Sequence, residues 1–305
     1  MSALSVPVEP VTGSPSRRRR RRLAGWGFVS PFMAVFVFTL IIPILYAIYL
    51  SVYRNRMIGG NAFVGLDNYR QALQDSQFWE SFLRVAVFLA VQVPIMLGLA
   101  LIAALALDSA RVFWAPLVRL AIFLPYAVPA VVAALMWGFM YGTRFGLVGN
   151  IDRMFSVQLP NPFSSTLILA AVGNIVTWEF VGYNMLIFYS ALRAIPGDLY
   201  ESAQLDGAGA FRVISSIKLP AIRPALLIAT IFSIIGSFQL FNEPNILKPI
   251  SPNTISTYFT PNMYAYNLSF AGQEYNYSAT VAIIMGVITV IIAYLVQLGG
   301  MRKES

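Results

Sequence analysis

The sequence predicts an all-α protein that crosses a lipid bilayer six times. Two observations support this prediction. Of the 305 residues, 58% are hydrophobic and only 11% are charged, and the apolar residues gather in long runs separated by polar intervals. A soluble domain carries about 25% charged residues, and the mean hydropathy of this chain is +0.69. We therefore expect one polytopic membrane domain.

Six apolar runs are long enough to cross the bilayer. They cover residues 26–52, 78–107, 117–141, 164–192, 222–241 and 277–298. Pro125 and Pro129 lie in the third run, and prolines within a membrane helix free backbone carbonyls and permit kinks. The predicted organisation is a disordered basic tail (residues 1–25), a six-helix transmembrane domain (26–300) and a short C-terminal tail (301–305).

Basic residues predict the orientation of these spans. The run from Arg17 to Arg22 precedes an apolar segment that is too long for a signal peptide and has no small-residue cleavage site. Each basic residue near an anionic leaflet contributes about 1 kcal/mol, and such residues stay on the cytosolic side. Six spans then place both termini and the loop before the fifth span in the cytosol, together with Arg111, Arg193, Arg302 and Lys303.

Composition excludes several kinds of chemistry. The chain has neither cysteine nor histidine, which removes disulfides, thiol nucleophiles, imidazole bases and the commonest metal ligands. It has no G-x-x-x-x-G-K-[ST] sequence for binding a nucleotide. The net charge of +8 comes mostly from the arginine run and does not indicate nucleic acid as a partner. We expect no metal and no cofactor in this chain, and an intramembrane enzyme is disfavoured.

The polar interval between the fourth and fifth spans, PGDLYESAQLDGAGAFRVISSIKLPAIRP (residues 196–224), has the pattern of two short helices. Pro196 suits the start of the first helix. Asp206-Gly207 is a turn signal, because glycine takes a positive φ without strain. The second helix is predicted over 210–217, with Leu219-Pro220 as its end.

Three apolar side chains share one side of this second helix: Phe211, Ile214 and Ile217. A helix pair between two membrane spans cannot bury such a stripe by itself. The stripe is therefore predicted to bind a partner.

Several residues of this interval match a known pattern. Glu201-Ser202-Ala203, Asp206-Gly207-Ala208, Ile217-Lys218-Leu219-Pro220 and Pro224 resemble the EAA loop of ABC importer permeases, EAAxxDGA…IxLPxxxP. The resemblance is to the subfamily that carries maltose, other oligosaccharides and glycerol 3-phosphate, and it extends over nearly the whole chain. Ser202 stands where the pattern has alanine, and both residues are small. The resemblance implies the type I permease fold of ABC importers.

The same resemblance implies an ATP-driven import system in which this chain forms half of the translocation path. The implied partners are a second homologous permease, two cytosolic ATPase subunits that bind ATP and Mg²⁺, an extracytoplasmic sugar-binding protein, a carbohydrate substrate and the lipid bilayer of a bacterial-type cytoplasmic membrane. Arg212 and Lys218 are expected to meet acidic residues of the ATPase. The residues predicted to couple to the ATPase are Glu201, Ala203, Asp206, Gly207, Ala208, Phe211, Arg212, Ile214, Ile217, Leu219 and Pro220.

A glutamate in the middle of the fourth span is the clearest candidate for the substrate path. Burying an ionisable group in a span costs at least about 2.5–3.5 kcal/mol, so Glu179 is expected to face the bundle interior beside Tyr183. In maltose-type permeases this helix lines the substrate cavity, and alignment without gaps from Glu201 places its contacts at Val176, Glu179, Phe180 and Tyr183. The alternative is that Glu179 is a structural group hydrogen-bonded to another helix.

A second polar cluster ends the fifth span. Gln239, Asn242 and Glu243 are predicted to lie close together on a helical surface, where amides and carboxylates can recognise sugar hydroxyls. The alternative is a helix end whose polar groups meet water. Trp178 is assigned to the substrate path because its ring, like those of Phe238 and Phe241, can stack on a pyranose. The alternative for each ring is a role in packing or in the aromatic belt at the membrane interface.

The charged residues within the predicted spans indicate which class of substrate the chain carries. Lysine and arginine are absent from the middle of every predicted span, and phosphate recognition normally uses such groups. This favours a neutral di- or oligosaccharide. Two alternatives remain open, a permease of the glycerol 3-phosphate type and a proton-coupled secondary carrier with Glu179 as its proton site. A proton-coupled carrier would take up its substrate without an ATPase, and an uncoupler would inhibit that uptake.

Overall fold

The computed structural model describes residues 15–56, 60–109 and 112–301, with side chains described from residue 26 to residue 300 of these ranges. The described part is a bundle of α-helices with one small β-hairpin near its N-terminal third. The elements are α1 (Pro15–Phe36), α2 (Ile42–Ser51), β1 (Tyr53–Arg56), β2 (Gly60–Phe63), α3 (Asp67–Gln74), α4 (Ser76–Asp108), α5 (Ala115–Phe123), α6 (Ala130–Met140), α7 (Leu147–Phe155), α8 (Ile168–Arg193), α9 (Asp198–Leu205), α10 (Ala210–Val213), α11 (Leu219–Ala221), α12 (Arg223–Phe238), α13 (Asn242–Leu247), α14 (Pro261–Phe270) and α15 (Tyr275–Met301).

Five helical segments of the described chain are long and apolar enough to cross a membrane: Trp26–Ser51, Ser76–Asp108, Ile168–Arg193, Arg223–Leu247 and Tyr275–Gly300. The bent pair Ala115–Ala127 and Ala130–Met140 gives a sixth crossing when its two helices are counted as one broken span. The first segment joins α1 to α2 through a π-helical turn, Val37–Ile41. Counted in this way, the crossings number six, as predicted from the sequence.

The third crossing is broken rather than kinked. Its two halves meet at an angle of 98°, at a 3₁₀ turn over Leu124–Ala127 followed by an extended residue, Val128. Pro125 and Pro129 lie on either side of that residue. Each proline removes a backbone N–H from the helical ladder. Leu124, before Pro125, keeps helical angles, whereas Pro129 restricts Val128 to an extended conformation, so α6 starts in a new direction after Val128.

Buried apolar clusters define the two ends of the bundle. One cluster contains Leu107 of α4, Leu192 of α8 and Ile222, all at most 5% exposed. We call this the loop end, because residues 194–222 lie there. The opposite end, called the far end, contains a cluster with Phe78 of α4 and Tyr277 of α15. Helix α4, which contributes to both clusters, therefore runs between the two ends.

A carboxylate fastens the helices at the far end. Asp75 precedes α4 and accepts hydrogen bonds from the hydroxyls of Tyr264 and Tyr277, the second at 2.6 Å. Burial raises the pKa of Asp75, but these bonds and those from the backbone of Gln77 and Phe78 outweigh burial and leave the pKa below its usual range. The carboxylate therefore stabilises the packing of α14 and α15 on α4 at neutral pH.

Two sequence predictions about local structure were wrong. α1 begins at Pro15, so residues 15–25 are helical rather than disordered; arginine is a good helix former, and the first span continues the helix. Residues 1–14, together with Arg111, Arg302 and Lys303, lie outside the described part of the chain.

The second prediction that was wrong concerns the end of the second loop helix. This helix does not stop at Leu219-Pro220 but continues as a π-helical turn over Ile214–Lys218 and as α11 to Ala221. The ring of a helical proline crowds the preceding turn, and the wide π turn directly before Pro220 makes room for it.

Candidate functional site

A cavity of about 390 Å³ opens between α4, the bent third crossing, α8 and the junction of α12 with α13. Its lining combines aromatic rings with amides, hydroxyls and one carboxylate. No lysine or arginine is found among its lining residues, all of which lie in the described chain. The polar and aromatic lining residues include Phe88, Gln92, Tyr126, Phe180, Tyr183, Asn184, Ser237, Gln239, Phe241, Asn242 and Glu243.

Three aromatic residues form one wall of this cavity. The rings of Tyr126 and Tyr183 stack with centroids 4.8 Å apart and planes within 17° of parallel, and Phe180 meets Tyr126 edge-on at 5.7 Å. Tyr126 comes from the 3₁₀ turn of the broken third crossing, whereas the other two come from α8. The wall therefore exists only because the break in the third crossing packs against α8.

A glycine makes that packing possible. A β-carbon built on Gly182 of α8 would lie 2.0 Å from the carbonyl oxygen of Ile122 and 2.7 Å from the Cα atom of Phe123. These are backbone atoms, which cannot swing aside as the end of a side chain can. Gly182 thus sets the distance between α8 and the third crossing, one residue before Tyr183.

The two glutamates predicted for the substrate path come together in the structure. Glu179 and Glu243 are 3% and 7% exposed, and their carboxyl groups lie within interaction distance of each other. Glu243 lines the cavity, but Glu179 does not. Both carboxyl oxygens of Glu179 are buried without a hydrogen-bond partner of normal geometry in the described chain, so this side chain lies behind the cavity lining, next to Glu243.

The other predicted path residues divide into two groups. Tyr183, Gln239 and Asn242 line the cavity. Tyr183 belongs to α8, Gln239 follows the end of α12, and Asn242 begins α13. Gln239 and Asn242 therefore do not lie on one continuous helical surface, as was predicted for the second cluster, because α12 ends at Phe238. Trp178 lies outside the cavity, where its ring packs edge-on against Trp137 with centroids 5.9 Å apart.

Several cavity residues, among them Gln92 and Tyr126, were missed by sequence reasoning. Gln92 of α4 is 5% exposed and donates to the hydroxyl of Thr177 on α8 at 3.3 Å. A buried amide in the middle of an apolar run was visible in the sequence as a candidate. Tyr126 was not, since only the break at the third crossing brings its ring into the cavity.

Residues 194–222, which we call the loop-end segment, contain the residues predicted to couple to an ATPase. After α9, Gly207 adopts φ +73°. The amide of Gly207 donates to the carbonyl of Gln204 at 3.0 Å, and that of Ala208 donates to the carbonyl of Ala203 at 2.9 Å. This pair of bonds is a Schellman motif, which ends a helix at a left-handed residue and favours glycine there. The positive φ predicted for Gly207 agrees with the structure.

The exposure of this segment is uneven. Phe211 is 83% exposed, while Ile214 and Ile217 are half-buried against the bundle. Leu205, at the end of α9, is 90% exposed and was not among the predicted coupling residues. Of the remaining predicted residues, the exposed ones are Glu201, Asp206, Gly207 and Arg212, and the half-buried ones are Ala203, Ala208, Leu219 and Pro220.

Lys218 is placed differently from its prediction. Its Nζ atom lies 2.6 Å from Oδ2 of Asp108 at the end of α4, and the two side chains are only 13% and 8% exposed. The ammonium group therefore pairs within the chain and does not face outward toward a partner. Arg212 remains exposed.

Six apolar crossings, an interior polar cavity and an exposed helical segment at one end define a multi-spanning membrane permease. The chain belongs to the family of binding-protein-dependent transport system inner membrane components, whose model matches residues 76–299. This membership confirms the family that the loop motif indicated.

Curated relatives of nearly the same length support this assignment. The chain is 30% identical over 292 residues to the lactose transport system permease protein LacF of Rhizobium radiobacter, covering 93% of this chain and 96% of that protein. It is 29% identical over 321 residues to the diacetylchitobiose uptake system permease protein NgcF of Streptomyces coelicolor, covering 98% and 91%. The trehalose transport system permease protein SugA of Mycobacterium tuberculosis is 30% identical over 290 residues, with coverage of 93% and 91%.

Solved structures show the same fold. A chain from the crystal structure of a bacterial ABC transporter involved in the import of the acidic polysaccharide alginate superposes with a TM-score of 0.83, covering 94% of this chain and 98% of that one, at 18% identity. The predicted ABC importer permease fold is confirmed.

Proposed function

We propose that this chain is a permease subunit of an ATP-driven ABC importer that carries a neutral di- or oligosaccharide. The observation that carries the proposal is the lining of the cavity, which offers two stacked tyrosines, several amides and one carboxylate. Such groups suit a ligand with many hydroxyls and apolar ring faces. The names of the relatives, which refer to lactose, diacetylchitobiose and trehalose, support the same class of substrate.

A phosphorylated substrate fits this cavity less well. Phosphate groups are normally bound by arginine or lysine, and the described lining contains neither. Glu243 adds a carboxyl group, which disfavours an anionic ligand. We therefore prefer a neutral sugar to glycerol 3-phosphate.

The rest of the import system follows from this function. The chain itself is non-catalytic, and a cytosolic ATPase pair binds ATP and Mg²⁺. A second homologous permease completes the translocation path around the exposed side chains of Gln239 and Asn242, and an extracytoplasmic binding protein delivers the sugar. The loop end and both termini face the cytosol of a bacterial-type cell, with the six-helix domain (26–300) in its membrane.

Coupling to the ATPase follows from the exposed loop-end segment. Phe211 enters a groove on the ATPase, with Leu205 and Arg212 beside it. Closure of the ATPase pair displaces the segment, and the attached helices α8 and α12 then reorient the cavity between the two sides of the membrane.

Proteoliposomes provide the test. This chain is assembled with a second permease and the ATPase, the binding protein is added outside, and uptake of labelled lactose, trehalose, diacetylchitobiose and glycerol 3-phosphate is measured. We expect uptake of a sugar that requires internal ATP and resists an uncoupler. Uptake without ATP that an uncoupler abolishes would establish a proton-coupled carrier instead, and uptake of glycerol 3-phosphate alone would replace the proposed substrate class.

Replacing Gly207 with valine is expected to uncouple ATP hydrolysis from sugar uptake while leaving the chain folded. A β-carbon at a positive φ costs about 1 kcal/mol or more, and the position is otherwise open, with nothing within 4 Å of the added atom. The strain should therefore disturb the turn between α9 and α10 without damaging the bundle. The measurement is the ratio of sugar transported to ATP hydrolysed.

Gly209→Val is the matched control. Gly209 is also exposed and open, but its φ of −70° and ψ of 165° suit any residue. We expect the Gly209 variant to keep the normal ratio. Equal ratios for both variants and the wild type would show that the turn at Gly207 is not needed for coupling.

A further inference from the structure

A buried ion pair joins the loop-end segment to α4. Lys218 Nζ lies 2.6 Å from Asp108 Oδ2, and both side chains are almost excluded from solvent. The two residues are far apart in the chain and belong to separate elements, the π-helical turn over Ile214–Lys218 and the last turn of α4. The contact is therefore a tertiary link and not a local feature of either helix.

Lys218 connects the two helical parts of the loop-end segment, which are α9 and the π-helical turn over Ile214–Lys218. The ammonium group of Lys218 lies 5.4 Å from the ring centre of Tyr200, which belongs to α9. Burial raises the pKa of the Tyr200 phenol, and the Asp108 carboxylate raises it further, as expected if all three groups share one pocket. Both α9 and the π-helical turn are thus in contact at Lys218.

The position of Asp108 makes the pairing necessary. It is the last residue of α4, where the helix dipole disfavours a negative charge. A buried carboxylate at this point needs a cation, and Lys218 supplies it. The end of α4 is consequently held to the segment and cannot move independently of it without exposing or separating two charges.

The same helix reaches the cavity. α4 is a continuous helix of 33 residues from Ser76 to Asp108, and Phe88, Gln92 and Met96 on it line the cavity. Pro94 lies within α4, but Met96 is on the Asp108 side of this proline, so a displacement applied to the Asp108 end reaches Met96 through uninterrupted helical turns. The ion pair therefore connects the loop-end segment with the cavity wall opposite α8.

We propose that Asp108 and Lys218 are positioning residues that couple the loop-end segment to α4, so that displacement of the segment by an ATPase also moves the α4 wall of the cavity. This inference rests on the proposed function, because it needs an ATPase at the segment. Helices α8 and α12 are covalently attached to the segment and move with it. The ion pair makes α4 a third helix that moves with the segment.

The test uses the full complex in proteoliposomes and four variants. Lys218→Met breaks the pair. Asp108→Lys combined with Lys218→Asp exchanges the charges and keeps it. Asp108→Leu combined with Lys218→Met replaces the pair with apolar side chains, which commonly preserves stability. Glu80→Gln is the control, since Glu80 is exposed and pairs with the half-buried Arg84 on the same helix, away from the loop end.

Three quantities are measured for each variant: ATPase retention in size exclusion, melting temperature, and sugar transported per ATP hydrolysed. We expect Lys218→Met and the apolar double variant to lower the transport ratio about tenfold, although the apolar variant keeps its ATPase and its melting temperature. The charge exchange should recover the ratio to within about threefold of the wild type. Glu80→Gln should match the wild type.

Other outcomes overturn the inference. A normal ratio in the apolar double variant would show that the pair only contributes to packing. The charge-exchanged variant could also assemble and yet transport as poorly as Lys218→Met. This result would show that the ionic contact itself does not determine the transport ratio. Failure of the wild type to bind an ATPase or to transport with ATP would instead refute the proposed function, and this inference with it.

Discussion

Replacing Gly182 with alanine is expected to lower the melting temperature of the purified protein by about 5–10 °C and to reduce its amount in the membrane. The added β-carbon would lie 2.0 Å from the carbonyl oxygen of Ile122 and 2.6 Å from its carbonyl carbon, so α8 and the third crossing must move apart. Overpacking of this kind costs up to about 3 kcal/mol, and each kcal/mol lowers the melting temperature by about 2–4 °C in a domain of 150–250 residues.

Gly173→Ala is the control for this prediction. Gly173 lies on the same helix, but its added β-carbon would be 3.5 Å from Gln92 Cγ and 3.6 Å from a ring carbon of Phe88, which are ordinary contacts. Alanine is also favoured over glycine in a helix by about 1 kcal/mol. We expect this variant to melt at or above the wild-type temperature.

The consequence of Gly182→Ala for function is as important as that for stability. Separation of α8 from the third crossing would pull Tyr126 away from Tyr183, whose rings stack at 4.8 Å in the wild type. Any folded fraction should therefore need a higher sugar concentration for half-maximal uptake. An unchanged melting temperature in Gly182→Ala would mean that α8 and the third crossing are not in backbone contact at Gly182.

Phe211→Ala is expected to weaken binding of the ATPase by about thirtyfold or more, because a large aromatic anchor in a pocket commonly contributes at least about 2 kcal/mol. Phe211 is 83% exposed in the isolated chain, at an end of the bundle that is not covered by the described helices. In purified complexes the variant should lose its ATPase subunits during size exclusion while the two permeases remain paired.

Phe113→Ala provides the comparison. Phe113 is 90% exposed and lies in the turn between α4 and α5, outside the loop-end segment. If exposure of an aromatic side chain were enough, both variants would lose the ATPase; we expect only Phe211→Ala to do so. Retention of the ATPase by Phe211→Ala, or separation of the permeases instead, would show that Phe211 packs within the membrane domain.

The sequence alone determined the features that depend on nearby residues. Six apolar runs predicted six crossings, since crossing a bilayer requires a local stretch of sufficient length. The Asp206-Gly207 pair predicted a left-handed turn, which the structure shows at Gly207. The EAA-like loop predicted the family, to which the match over residues 76–299 assigns the chain.

Tertiary structure decided the composition of the site. Tyr126 reaches the cavity only through a 98° break in the third crossing, and the prolines there predicted a kink but not its angle or direction. Glu179 was expected to line the cavity with Tyr183, yet it lies behind the lining beside Glu243. Lys218 was expected to face a partner but pairs with Asp108.

These differences have one physical reason. A helical pattern fixes which side chains share a face, whereas the rotation of each helix and its distance from the next are set by packing between elements far apart in the chain. Gly182 shows this most directly, because its missing side chain sets how closely α8 approaches the backbone of Ile122. That contact fixes where the Tyr183 ring lies, and no periodicity within α8 contains this information.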